Sequence, residues 1–340
     1  MKPEKLRPDN FTPPTRTPWG GTRILERYKA GLGIQAQGAV GESWEVSVEP
    51  SFPSRLVSRD ETLASLIARD PSAWLGRPAE QTPLLVKLLD AADNLSVQVH
   101  PADGDPALAP DESGKPEAWI VLDADPGAGL YLGFREGVGR REVEACIASG
   151  GALDALMNFV VVKPGEAFLI DAGTPHAIGR GLTLLEPQHV APDKRGVTYR
   201  FWDWNRRYDS EGRLDSHGKP RELHVERSLD VTDWNAPRGA AFVDRCRAAR
   251  KALEPHRDRC VSWPWFDVER WYGTGTLSLT VDSLHAIVCL GGHVRIVTGA
   301  GSLALRMGES GVVPAAAVDV ELSDALVFAT YQRAGHKMNL

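Results

Sequence analysis

Short runs of β-type residues recur along almost the whole chain, separated by glycine and proline. "ESWEVSV", "LSVQVH", "EAWIVLD", "MNFVVVKP", "EAFLID", "LTLLEP" and "GVTYRFWDW" follow one another through the first 205 residues. "TLSLTVD", "LHAIVCL", "GHVRIVTG", "SLALRM", "SGVVPAAAVDVELS" and "ALVFATY" fill the end of the chain. Many short strands with turn residues between them fold as jelly-roll sandwiches. Helical periodicity is confined to "TLASLIARDPSAWLG" (62–76) and "REVEACIASGGALDALMN" (141–158), the second broken by Gly150-Gly151. The predicted fold class is therefore mainly β: two jelly-roll domains, with a small helical insertion near 135–158 in the first. The charged, turn-rich stretch "RRYDSEGRLDSHGKPRELHVERSLDV" reads as a solvated linker, which places the domain boundary near residue 225, giving domains 1–225 and 226–340.

The chain has 340 residues and a net charge of -6, which gives no general reason to expect nucleic acid or an anionic membrane as partner. The N-terminal "MKPEKLRPDNFTPPTRTPWGG" has no apolar signal core, and no stretch approaches the 18 apolar residues of a membrane span. Cys146, Cys246, Cys260 and Cys289 are scattered, without C-x-x-C spacing. They read as reduced thiols of a cytoplasmic protein, with a Cys246–Cys260 disulfide as the alternative.

The stretch "LSVQVHPADGD" (95–105) breaks the pattern of a half-buried strand. Residues two apart share a face. Leu95, Val97 and Val99 form an apolar face, while Ser96, Gln98 and His100 put a hydroxyl, an amide and an imidazole on the other. Two further clusters hold donors of the same kind: "SGKPEAWIVL" with Glu117, and "PGEAFLIDAGTPHAIG" ending in His176. Two imidazoles, a carboxylate and an amide oxygen suit zinc or another first-row divalent ion. Each histidine taken alone reads more readily as a satisfied core residue than as a ligand; the joint occurrence of the three motifs argues for a site. His256, His285, His293 and His336 are isolated from any such motif.

The last of those pieces is similar to a cupin signature, with Gly165, Gly173 and His176 in its fixed places and Asp171 where the signature has proline. "PLLVKLLDAADNLSVQVHPAD", "GKPEAWIVL", "GTPHAIG" and "VTYRFWDWNR" together resemble the type I phosphomannose isomerases of the cupin superfamily, in their short bacterial form. "WGG" at Trp19–Gly21 and "GESWEVS" at 41–47 support the resemblance, which spans about residues 18 to 210. It implies cupin-type domains and a mannose 6-phosphate/fructose 6-phosphate isomerase acting through an enediol(ate). It also implies one zinc per chain, held by Gln98, His100, Glu117 and His176. Ser96 then falls beside the substrate phosphate, Lys115 contacts substrate, and Arg200, Glu186 and Lys87 fall on catalytic positions, with Glu186 as the proton-transfer base. The implied partner is a hexose 6-phosphate, with no nucleic acid and no membrane. After Glu186 the chain departs from the family's short polar stretch: "EPQHVAPDKRGVTYR" is several residues longer, and its loop is expected to border the pocket. Two rival readings are an iron-dependent cupin dioxygenase and a non-catalytic sugar-binding cupin.

Overall fold

The computed structural model describes residues 1–34, 38–77, 79 and 81–332. His336 lies outside them. The first half is built from two five-stranded antiparallel sheets. Their strands are β1 (Glu42–Val46), β2 (Leu84–Ala91), β3 (Val97–Val99), β4 (Glu117–Ala124), β5 (Gly129–Phe134), β6 (Met157–Val161), β7 (Ala167–Ile170), β8 (His176–Ile178), β9 (Leu182–His189) and β10 (Tyr199–Trp202). One sheet runs β10-β3-β8-β5-β6, the other β1-β2-β9-β4-β7. Leu130, Leu132 and Ile178 of the first pack with Leu89, Trp119 and Leu184 of the second, so the two sheets share one core.

The second sheet is buried on both faces, because its outer side meets the C-terminal half. Leu84, Val86, Leu88, Ala118, Ile120 and Leu185 join Val261, Phe266, Ala286, Val288 and Phe328 in one apolar cluster. That is why "LLVKLLDA" of β2 lacks alternation: all eight positions are buried. The C-terminal half is an eight-stranded antiparallel sheet whose strands Asp267–Val281, His285–Thr298 and Ala316–Tyr331 are long and interrupted by register shifts at Gly273 and Gly291. Its edge is completed by Glu4–Lys5 at the start of the chain, which pairs with Ser310–Val313.

Helices cover what the sheets leave open. α1 (Leu63–Arg69) and α2 (Pro71–Leu75) fill the predicted 62–76 segment, capped by the Thr62 and Asp70 side chains. α3 (Arg140–Ala148) ends before Gly150, and a short 3₁₀ turn at Leu153–Leu156 follows. α4 (Val225–Val231) and α5 (Ala240–Cys246) carry no strong sequence signal. Val143 of α3 and Leu229 of α4 cover Val97, Val99 and Phe201 on the outer face of the first sheet. Phe242 of α5 joins the sandwich core. The boundary drawn from the sequence near residue 225 thus meets the start of a helix that packs on the first half. All four cysteines are free thiols. No helix among the described residues is long and apolar enough to cross a membrane.

A buried ion pair fastens the halves. Lys29 and Glu45 are 0% and 1% exposed and lie 2.7 Å apart. The Lys29 ammonium also donates to the Gly308 carbonyl at 3.1 Å, and the Ser310 hydroxyl to the Glu45 carbonyl at 3.1 Å. Removing one partner strands the other charge without water. Lys29→Ala is expected to cost about 3–5 kcal/mol of unfolding free energy. A denaturant titration showing a loss below about 1 kcal/mol, in the range of exposed pairs, would contradict this.

Candidate metal and active site

The inner faces of both sheets change from apolar to polar towards one end of the sandwich. On β9, residues 182, 184, 186 and 188 share a face. Leu182 and Leu184 enter the core, while Glu186 and Gln188 continue the row as buried polar groups. Register places Lys87 opposite Glu186, Trp44 opposite Lys87, and Glu117 opposite Gln188. On the other sheet, Gln98 stands opposite both His176 and Arg200. Val97 and Val99 turn outwards under the helices. The polar face of "LSVQVH" therefore looks into the sandwich and the apolar face out of it.

His100, Glu117 and His176 meet behind this row, with one ligand atom from each within 4.8 Å of the others. Among the described residues they form the one such group of His, Cys, Asp and Glu. His100 Nε2 is 3.4 Å from Glu117 Oε2, and His176 Nε2 is 3.5 Å from Glu117 Oε1. Each ring's other nitrogen is already committed. His100 Nδ1 donates to the Val197 carbonyl at 3.0 Å, and His176 Nδ1 to the Thr174 carbonyl at 2.8 Å. These bonds set the tautomer that leaves an Nε2 lone pair facing Glu117. Both Nε2 atoms and Glu117 Oε1 are buried without a hydrogen-bond partner. Buried polar atoms are normally paired, so three orphaned acceptors converging at one point fit a divalent cation. The turn before His176 requires Gly173, at φ 74, whose amide donates to the His100 carbonyl at 2.9 Å and ties the two histidines' segments together.

The charges around this group are graded. Burial works against ionising Glu117, but the Lys115 ammonium 3.7 Å away favours the charged form, and its carboxyl stays well below the ordinary range. Burial first, and then the Glu117 charge, pushes the Glu186 carboxyl up to about 8. Glu186 accepts from Trp119 Nε1 at 3.1 Å and from Gln188 Nε2 at 2.9 Å, and lies 3.4 Å from Lys87. Gln188 Nε2 also donates to Glu117 at 2.5 Å, so a single amide bridges the two carboxyls. Burial disfavours the Lys87 ammonium, yet Glu42 and then Glu186 hold it above its ordinary pKa. With Glu186 raised, Glu42 is the principal counter-charge to Lys87, and its own pKa is lowered: burial opposes ionisation and Lys87 overcomes it. Burial lowers Lys115, which donates to Thr198 Oγ1 at 3.1 Å and lies 3.7 Å from Glu117.

A cavity of about 350 Å³ opens over this floor, lined among others by Glu42, Lys87, Gln98, Lys115, Glu186 and Gln188. Ser96 and Arg200 line its wall, with the Arg200 Nε donating to Ser96 Oγ at 3.1 Å. The structure therefore gathers Ser96, Gln98, Lys87, Lys115, Glu186 and Arg200 around one cavity, with His100, Glu117 and His176 behind its floor. Residues that sequence reading passed over include Gln188, Glu42, Arg16 and Arg221, all on the cavity wall. Gln188 had a signal, standing two residues beyond Glu186 on the same face of a strand.

Residues 15–128 match the sequence profile described as phosphomannose isomerase type I, catalytic domain. A mannose-6-phosphate isomerase of Streptococcus mutans is 33% identical over 302 residues, covering 87% of this chain and 88% of that one. The chain belongs to the type I phosphomannose isomerase family. The fold agrees: the mannose 6-phosphate isomerase of Bacillus subtilis superposes with a TM-score of 0.80 at 24% identity, over 97% of this chain and 100% of that one. A zinc-bound mannose 6-phosphate isomerase superposes with a TM-score of 0.71 at 19% identity, over 98% and 100% of the two chains.

In this type I phosphomannose isomerase the 187–197 loop has a definite place. Arg195–Gly196 pairs in parallel with Glu112–Ser113, and Arg195 lies 2.6 Å from Glu112. Val190, Arg195 and Gly196 line the cavity, as the sequence led us to expect. His189 turns away and packs its ring 4.8 Å from that of Trp265 in the other half.

The buried histidines of this phosphomannose isomerase carry a pH prediction. Burial lowers His176 to about 3, and His189 and His285 to about 4. Unfolded histidine titrates near 6.5. Each group thus contributes stability above about pH 6.5 that is lost as pH falls towards its folded value. Glu186, raised to about 8, has the opposite sign: its contribution is present below the ordinary glutamate value and is lost as pH rises through 8. Burial lowers His100 as well, so four histidines outweigh one carboxyl. The metal-free protein is expected to lose about 3 kcal/mol or more of unfolding free energy between pH 7 and pH 5. Equal stability at the two values in urea titrations would rule this out.

Proposed function

We propose that this chain interconverts mannose 6-phosphate and fructose 6-phosphate, using one zinc ion held by His100, Glu117, His176 and Gln98. The observation that carries the reading is the convergence of three orphaned ligand atoms beneath a cavity that also presents a carboxyl titrating near neutrality. The zinc-bound relative supports the choice of ion. A bound divalent cation would polarise the C1 and C2 oxygens of the sugar as a Lewis acid.

The chain's own groups supply the rest. Glu186 takes the proton from C2 and returns it at C1; a carboxyl displaced towards neutrality suits both directions. Trp119 and Gln188 fix its two oxygens. Lys87, packed 4.6 Å from the Trp44 ring centroid, keeps a positive charge beside it. Lys115 faces the sugar hydroxyls from above Glu117, and Arg200 fixes the substrate from the Ser96 side. In the C-terminal half, His285 stacks on Tyr331 at 4.0 Å, and His256 donates to the Tyr272 carbonyl at 3.0 Å. The deciding experiment is a coupled assay of mannose 6-phosphate conversion with the zinc-loaded protein, before and after chelation. Turnover that chelation abolishes and zinc restores is the expected result. No conversion by the zinc-loaded protein would overturn the proposal.

A further inference from the structure

Six basic side chains line the cavity, and they divide by what neutralises them. Lys87 has Glu42 and Glu186, Lys115 has Glu117, and Arg195 has Asp111 and Glu112. Arg16, Arg200 and Arg221 are different. Among the described residues, Arg16 and Arg200 have no carboxylate within 4.0 Å, and Arg221 reaches Asp203 only at 3.9 Å. Asp203 is itself committed to Arg206 at 2.6 Å.

These three arginines come from distant parts of the chain and are tied together. Arg221 donates to the Arg16 carbonyl at 3.4 Å, and Arg200 donates to the carbonyl of Glu222, the residue after Arg221, at 2.9 Å. The Arg16 guanidinium stacks over Trp44 and Phe52, 4.9 and 5.6 Å from their ring centroids, which holds it at the cavity wall. Burial, and next the neighbouring Arg221, lowers Arg200 to about 10. The nearest acid, Asp203, is held by Arg206, so the like charges of this wall are incompletely neutralised and repel one another until an anion joins them. Guanidiniums match the geometry of phosphate oxygens, and a phosphate monoester is close to a dianion at neutral pH.

The geometry points to Arg16 and Arg221 as specificity residues that, with Arg200 and Ser96, hold the 6-phosphate of the substrate. This rests on the isomerase reading above and extends it to a segment read from the sequence as a linker. Residues 206–224 then form a wall of the active site. Ser96, one residue before β3, and Gln98 within it both line the cavity, so the arginine wall and the metal side share one chamber.

The test uses the full-length, zinc-loaded protein and the Arg16→Gln and Arg221→Gln variants. Arg213→Ala serves as the control, since Arg213 lies in the same segment, is exposed and pairs with Glu211. Each glutamine variant is expected to raise KM for mannose 6-phosphate about tenfold or more while kcat stays within about threefold. Binding of inorganic phosphate, measured by calorimetry, should weaken in parallel, and the control should match the parent. Arg221→Lys, which keeps the charge without the planar fork, should fall between parent and Arg221→Gln in both readouts. Unchanged KM and unchanged phosphate affinity in the folded glutamine variants would overturn the assignment, as would a loss confined to kcat. The isomerase reading fails separately: in that case the parent itself does not convert mannose 6-phosphate, while phosphate binding still reports on the arginines.

Discussion

His100→Ala and His176→Ala are each expected to lose most of the bound metal and nearly all isomerase activity. The two imidazoles occupy equivalent positions. Each commits Nδ1 to a backbone carbonyl and turns a bare Nε2 towards Glu117. Removing either takes away a ligand nitrogen and leaves a gap in a fully buried wall. Lewis-acid polarisation by a divalent ion is worth several kcal/mol at the transition state, so activity should fall on the order of 10³-fold or more. Elemental analysis of purified protein gives the metal content, and the coupled assay gives turnover. Circular dichroism separates metal loss from misfolding, because most of the sandwich core lies in apolar clusters that the substitution does not touch. A folded variant of either kind that kept one equivalent of zinc would sink the ligand assignment.

What the sequence disclosed follows from where its pattern was violated. "LSVQVH" showed that one strand face was too polar for a core, and that face lines the cavity. The 62–76 segment was legible as helical from its period, but not its division at Asp70-Pro71 into two helices. β2 was not, because a strand buried on both faces has no alternation to read, and its cover comes from residues beyond 260. The same blindness hid the pairing of Glu4–Lys5 with Ser310–Val313, a contact across three hundred residues with no local trace. α4 and α5 are seven residues each, too short to establish a period. In the site, motif spacing marked the residues that sit in turns and strands of fixed geometry: Gln98, His100, Glu117 and His176. Arg16 and Arg221 left no such mark. They lie in a proline-rich arm and a charged segment, and only the fold shows that the two touch and face the cavity.

Glu186→Gln is expected to keep the metal and lose kcat by about 10²–10⁴-fold, the usual contribution of a positioned general base. The amide keeps the size of the side chain and one oxygen for Trp119, but it cannot accept and return a proton. A merely structural role for Glu186 would lower stability and leave the pH profile alone, so the profile is the discriminating measurement. A base must be ionised to act, and kcat should therefore rise with pH through the Glu186 pKa. That value is about 8 in the metal-free protein, with burial the first cause and the Glu117 charge the second. A cation bound at Glu117 cancels much of the second cause and leaves the first. The limb should then lie below 8 and still above the ordinary glutamate value. Glu186→Gln should abolish this limb, leaving a low and flat residual rate. Lys87→Met tests the same logic from the other side: losing the neighbouring positive charge should move the limb to higher pH in an otherwise intact Glu186 enzyme. A Glu186→Gln protein with kcat within threefold of the parent and an unchanged acid limb would assign the proton transfer to another group.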